Sequence, residues 1–263
     1  MATLATSPCK TESAWRLFVL KHQEENIKVS GNFLTAEWRK LGMANYAIDQ
    51  KILSNYLPNH TEIDLWHNVC YVSLVGFMFL NTKVKGLKIP FHTNFEEVNL
   101  RFYVRYNEKG EWKRGVVFIK EIVPKPALTF VANTIYKENY ETMPMHHAWE
   151  KEGETLAVEY RWKKKRWHSL QVIAYDAFKD IEVGSEEEFI TEHYWGYTKV
   201  GNTTLEYQVE HPRWQVYPVK SWEIDVDFGY LYGEDFGFLK NQKPKSVFLA
   251  EGSDIKVNSG IKI

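Results

Sequence analysis

The segment richest in side chains capable of chemistry is Phe95-Glu-Glu-Val-Asn-Leu-Arg-Phe-Tyr-Val-Arg105. A β-strand sends successive side chains to opposite faces. One face then carries Val98, Leu100, Phe102 and Val104, and the other Glu97, Asn99, Arg101, Tyr103 and Arg105. An acid, an amide, a guanidinium and a phenol in one row can orient a polar ligand or pair with one another. The same row also suits the solvated outer face of an antiparallel sheet. The residues alone leave both readings open.

Further segments carry chemistry of less specific kinds. Tyr140-Glu-Thr-Met-Pro-Met-His-His-Ala-Trp149 contains adjacent histidines. On a strand His146 and His147 diverge, and neither an HExxH nor a facial-triad spacing surrounds them, so no metal is expected. His146 by itself, with Tyr140 and Met145, suits one wall of a cavity, where an imidazole can do acid/base work. Tyr194, Trp195 and Tyr197 form an aromatic cluster that either packs across strands or stacks on a ligand. Lys163-Lys-Lys-Arg166 lies between Trp162 and Trp167 at a hairpin tip, and reads as a solvated turn rather than a nucleic-acid patch. No GxGxxG, P-loop or GxSxG motif occurs, which argues against the commonest nucleotide-binding and serine-hydrolase classes.

The elements that must position these residues are mostly strands. Cys70 to Leu80 is a nearly continuous apolar run, as a strand buried on both faces would be. Three hairpins follow from aromatic or β-branched runs around polar turns: 98–106 with 112–123, 155–162 with 167–175, and 192–200 with 205–210. Thr35 to Leu41 opens on an N-cap type and predicts a short helix, and a second lies within 45–57 with Asp49 as N-cap. A stronger helix starts at Pro126, with Leu128, Val131, Ala132, Ile135, Tyr136 and Asn139 on one face. Ser185-Glu-Glu-Glu188 is a capping box opening a short helix before His193, and Tyr230 to Lys240 is weakly helical. Hairpins with a few helices predict an α+β protein that is predominantly antiparallel β. Residues 1–30 read as an arm, and 31–263 as a single domain.

Composition narrows the partners. The chain has 263 residues, with 33 Lys+Arg against 34 Asp+Glu, and this near balance disfavours nucleic acid and anionic membranes. Cys9 and Cys70 support neither a disulfide framework nor a zinc site, which fits a reduced, cytoplasmic setting. The N-terminal stretch lacks the basic start and apolar core of a secretion signal. No cofactor is implied.

Taken in order along the chain, several phrases resemble one family. They are Asn45-Tyr46, Tyr71-Val-Ser-Leu-Val75, Pro90, Glu97-Val-Asn-Leu-Arg101 with Tyr103-Val104, Arg114-Gly-Val-Val-Phe118, Tyr140 with Met143-Pro-Met145, Glu188-Phe-Ile-Thr-Glu-His-Tyr-Trp-Gly-Tyr197, His211-Pro212-x-Trp214 and Phe248-Leu-Ala-Glu-Gly-Ser253. Together they resemble the YqjF-like proteins, a bacterial family of unknown function, over about residues 33 to 257. The resemblance implies an acetoacetate decarboxylase-like fold, a β-rich double barrel closed around a cavity. In the decarboxylases a glutamate on an early strand faces that cavity, and Glu97 is similar to it. A helix and a Pro-Lys-Lys sequence follow there, the first lysine forming a Schiff base with the substrate ketone. Here the helix from Pro126 is followed by Pro144, Met145 and His146. A thioether and an imidazole cannot form an imine. The resemblance therefore carries the fold and a pocket, and not the decarboxylase reaction.

Three functional readings follow. The first is a pocket for a small anionic or carbonyl-bearing organic ligand, lined by Glu97, Asn99, Arg101, Tyr103, Tyr140, Met145, His146, Tyr194 and Trp195. The second is a lyase, hydrolase or isomerase on the same scaffold, with Glu97 or His146 as acid/base instead of a lysine. The third is an interaction module without a ligand, its aromatics serving a homo-oligomer interface.

Overall fold

The computed structural model describes residues 31–263. The expected arm and Cys9 lie outside them. The strands that carry the architecture are β1 (Asn32–Ala47), β2 (Tyr71–Val84), β3 (Phe95–Glu108), β4 (Glu111–Val123), β5 (Met145–Glu152), β6 (Thr155–Lys164), β7 (Arg166–Tyr175), β8 (Trp195–Val200), β9 (Thr203–Glu210), β10 (Val219–Asp225) and β11 (Ser246–Asn258). The helical segments are short: α1 (Gln50–Leu53), α2 (Pro126–Val131), α3 (Glu186–Thr191) and α4 (Phe228–Tyr232).

Backbone pairing runs β11-β1-β2-β3-β4-β8-β9, and β9 pairs back onto β11 through Val209↔Val257 and Glu210↔Lys256. The large sheet therefore closes on itself as a barrel. Its neighbours in the ring are antiparallel except β4 and β8, which meet in parallel at Gly115↔Trp195 and Val116↔Gly196. A second, open sheet has the order β10-β7-β6-β5. Its inward side chains, among them Tyr160, Trp162 and Leu170, pack on the outward face of the barrel wall. Val98, Leu100, Phe102 and Val104 of β3 belong to that core. Gly76 on β2 permits the contact, because a Cβ there would come within 2.8 Å of the Tyr160 ring.

The fold is thus α+β and mostly antiparallel β, with one closed barrel and one sheet laid across it. The predicted hairpins are present, and Asp49 caps α1 by accepting from the Lys51 amide at 2.9 Å. The expected helix over 35–41 is instead the middle of β1. There β1 is paired on both sides, to β11 and to β2, which satisfies the backbone more fully than a seven-residue helix with no apolar stripe. Irregular register with β2, between Thr35 and Glu37 and between Arg39 and Gly42, bends the strand around the barrel. The helix from Pro126 runs as α2 and then as a wider π turn, Ala132–Tyr136, before Lys137 ends it in the left-handed conformation (φ 57°). The weak helix near 230–240 is broken at Gly233 (φ 110°) into α4 and a 3-10 segment. Among the described residues no helix is long and apolar enough to cross a membrane.

Candidate functional site

The barrel encloses a cavity of about 140 Å³. Most of its wall is aromatic or aliphatic: Trp38, Phe77, Phe95, Phe118, Val131 and Trp214 are representative. Into this apolar shell project Glu97, Asn99, Arg101, Glu121, Glu138 and Tyr140. Glu97, Asn99, Arg101, Glu121 and Glu138 are buried there, at a desolvation cost.

The alternation of β3 places Glu97, Asn99 and Arg101 on the cavity face. Asn99 Nδ2 donates to Glu97 Oε1 at 3.0 Å, and the Tyr140 hydroxyl donates to Glu97 Oε2 at 3.2 Å. Burial raises the Glu97 carboxyl to about 7, against the opposing bonds from Asn99 and Tyr140 and the field of Arg101. Arg101 is 7% exposed. Its guanidinium lies 5.8 Å from the Tyr103 ring centroid, and among the described residues its Nε has no hydrogen-bond partner and no carboxylate forms an ion pair with it.

Two acids join this row from other elements. Opposite Leu100 and Arg101, the register of β4 slips by one residue: Leu100 pairs with Lys120 but Arg101 with Phe118. Strict alternation from Phe118 would aim Lys120 inward. The slip aims Glu121 inward instead, level with Asn99, and sends Lys120 outward to Glu141 and the Leu231 carbonyl. Burial, then the charges of Glu138 and Glu97, push the Glu121 carboxyl well above the usual range, and its Oε2 has no partner. Glu138 enters just after the left-handed Lys137. Its Oε1 accepts from the Thr198 hydroxyl at 2.5 Å and from the Tyr207 hydroxyl at 3.0 Å. Burial raises it to about 7. Tyr207 reaches it because Gly196 opposite has no Cβ, which would sit 2.1 Å from the Tyr207 ring.

The cavity wall also includes His193, whose ring is sealed. Its Nε2 lies 3.1 Å from Asp64 Oδ2, which also accepts from Arg114 Nε at 2.7 Å. An ionised carboxylate only accepts, so Nε2 carries the proton. Burial lowers His193 to about 4, so it is neutral at pH 7.

Of the residues singled out from sequence, Glu97, Asn99, Arg101, Tyr140 and Trp195 line the cavity. Four do not. Tyr103 shares their strand face, but its hydroxyl donates to Ser73 at 2.7 Å and its ring backs His193. Met145 packs on the outer core, and His146 is exposed on β5 of the open sheet. Tyr194 bonds Glu192 and stacks by His211. The wall after the helix is supplied by Tyr140, before the proline, because the chain meets β4 there: Tyr140 pairs with Glu121. Arg105 points to Glu62 near the barrel rim. Glu121, Glu138, His193 and Tyr207 were not legible as site residues. The β4 slip hid the first, and a Lys-Glu pair after a helix reads as solvated charge for the second.

Among the described residues no lysine lines the cavity. Lys151, the next lysine in sequence after His146, is exposed and pairs with Asp176. Among the described residues no group of three His, Cys, Asp or Glu is placed to hold a metal ion.

A family model, DUF2071, described as an uncharacterized conserved protein, matches residues 35–254. The uncharacterized protein YqjF of Bacillus subtilis is 27% identical over 216 residues, covering 79% of this chain and 85% of that protein. Acetoacetate decarboxylase from Legionella pneumophila superposes with a TM-score of 0.59 at 14% identity, over 90% of this chain and 89% of that one. The enduracididine biosynthesis enzyme MppR, solved in complex with pyruvate, gives 0.59 at 11% identity, over 90% and 91%. The fold is acetoacetate decarboxylase-like.

Proposed function

The chain belongs to the DUF2071 family, and on that footing we propose that its barrel binds a small organic anion, carboxylate- or carbonyl-bearing, without forming a lysine imine. The observation that carries this reading is Arg101: a buried guanidinium, facing an apolar-walled cavity, with no carboxylate of the described residues at ion-pair distance, although its field reaches Glu97 and Glu121. A fixed charge in such a place is expensive unless a counter-charge arrives. A guanidinium matches a carboxylate in a two-bond fork. The apolar wall supplies the remaining contact area for a short carbon chain. That MppR shares the fold and has been solved with pyruvate supports the same ligand class.

The test is calorimetry with short saturated and 2-oxo carboxylates against the unmodified chain and Arg101→Met. Binding in the unmodified chain with about a 10- to 100-fold loss in the variant is expected, the range for a charge-assisted hydrogen bond. Equal affinity in the two proteins would remove Arg101 from recognition and sink the reading.

One observation favours turnover as a second reading. Glu97 titrates near neutrality with a phenol on one oxygen and an amide on the other, an arrangement suited to a general acid or base. Glu97, not the outward His146, would then carry the proton in a lyase, isomerase or hydrolase step. Product formation from short oxo acids and esters by the unmodified chain, matched by Glu97→Gln, would exclude that role.

A further inference from the structure

The cavity has two electrically different ends, and only one is used by the reading above. The backbone positions of Arg101 and Glu97 are four residues apart on β3, about 13 Å at strand rise, and their long side chains shorten that span enough for the guanidinium's field to reach Glu97 and Glu121. The other end gathers Glu97, Glu121 and Glu138 from three separate elements, with Tyr136, Tyr140 and Tyr207 around them. Three buried carboxyls share the cavity with one guanidinium, and among the described residues no lysine enters it.

The details at this end show donors already committed and acceptors left over. The Thr198 and Tyr207 hydroxyls both donate to Glu138 Oε1, while Oε2 accepts no hydrogen bond from the described residues. Glu121 Oε2 is shut off from solvent with no hydrogen-bond partner among the described residues. Tyr136 and Tyr207 meet edge to face at 5.2 Å, and aromatic faces beside acids are the surroundings that stabilise an alkylammonium group. A metal ion is a poor match, because no three of the acids are placed to ligate one.

We propose that Glu121 and Glu138, with Glu97 beside them, hold the ammonium group of the ligand whose carboxylate Arg101 takes. The ligand is then a zwitterion with its two charges at opposite ends of a short apolar chain. This rests on the Arg101 reading and adds a second subsite to it. The charge balance supports it. Without a cation, burial raises all three carboxyls, Glu97 and Glu138 to about 7, and an ammonium placed among them favours the ionised forms. Binding therefore expels protons and strengthens from pH 6 to pH 8.

The decisive experiment uses the unmodified chain and matched pairs that differ only in a terminal ammonium: propionate and β-alanine, butyrate and 4-aminobutyrate, hexanoate and 6-aminohexanoate. Calorimetry in two buffers of different ionisation heat reads affinity and proton release together. At one chain length the amino member is expected to bind at least about tenfold more tightly, with net proton release, the scale of one charge-assisted hydrogen bond. Glu138→Gln should shrink that advantage. If plain carboxylates bind and no amino member does better, the ammonium subsite is wrong while the Arg101 reading stands. If neither series binds, both fall. Should Glu138→Gln not fold, the matched pairs in the unmodified chain still decide.

Discussion

The two faces of β3 are equally buried and chemically opposite. Val98, Leu100, Phe102 and Val104 are sealed under the open sheet, while Glu97, Asn99 and Arg101 are sealed inside the barrel. The first face repays its burial through the hydrophobic effect, at roughly 25 cal/mol per Å². The second does not. It holds an acid raised by desolvation and a guanidinium that no carboxylate of the described residues meets in an ion pair. One strand thus separates an apolar packing face from a polar cavity face by the parity of the residue number. The difference teaches where to look for function: at the buried face that folding alone would have made apolar.

The sharpest way to break that contrast is a pair of neighbouring substitutions. Phe102→Ala should destabilise the protein by about 3–5 kcal/mol in urea unfolding, as large-to-small core changes do. Arg101→Met, one residue away, should change stability by less than about 1 kcal/mol, because replacing a buried charge with an apolar side chain of similar size is often neutral. Comparable losses from both would show that the polar face is structural after all.

The next effect is pH-dependent. Glu97 and Glu138 titrate at about 7 in the folded chain and near 4.5 when unfolded. The folded state holds the extra protons, so their contribution is complete below about pH 4.5 and is lost as pH rises through 7. Glu97→Gln should therefore be more stable than the parent at pH 8, by about 1–3 kcal/mol, and no more stable at pH 4. His193 works in the opposite sense. Its folded value of about 4 lies below the unfolded 6.5, so its contribution is present above pH 6.5 and lost as pH falls through 4. The two windows overlap and two carboxyls outweigh one imidazole, so the melting temperature is expected to fall from pH 5 to 8, and a flat profile over that range would contradict the buried carboxyls.

Gly196→Ala should cost about 1–3 kcal/mol, the scale of overpacking, because its Cβ would meet the Tyr207 ring. It should also disturb the Tyr207 bond to Glu138, visible as an altered ligand affinity. The smallest change belongs to His146→Ala on the open sheet. A shift within about 0.5 kcal/mol and unchanged ligand binding are expected of an exposed side chain.

Much of the fold was legible because it is local. Period-two alternation marked both faces of β3, the Asn107 to Gly110 turn marked its hairpin with β4, and Ser185 marked the start of α3. The failures have local explanations too. An N-cap at Thr35 suggested a helix where two neighbouring strands hold β1 extended. Alternation also failed at one residue of β4, where the slip opposite Arg101 turned Glu121 inward.

The amino-acid sequence by itself determined which side chains share a strand face, since that follows from backbone geometry alone. It therefore placed Glu97, Asn99 and Arg101 together. Whether that face met water or a cavity was decided by ring closure, through the few pairs that join β9 to β11. The β4 slip and the left-handed Lys137 aimed Glu121 and Glu138 into that cavity, and Met145 and His146 went to another sheet. A carboxyl's ionisation depends on the dielectric around it and on the charges within a few ångströms. Residues distant along the chain set both, so the chemistry of these acids exists only in the folded barrel.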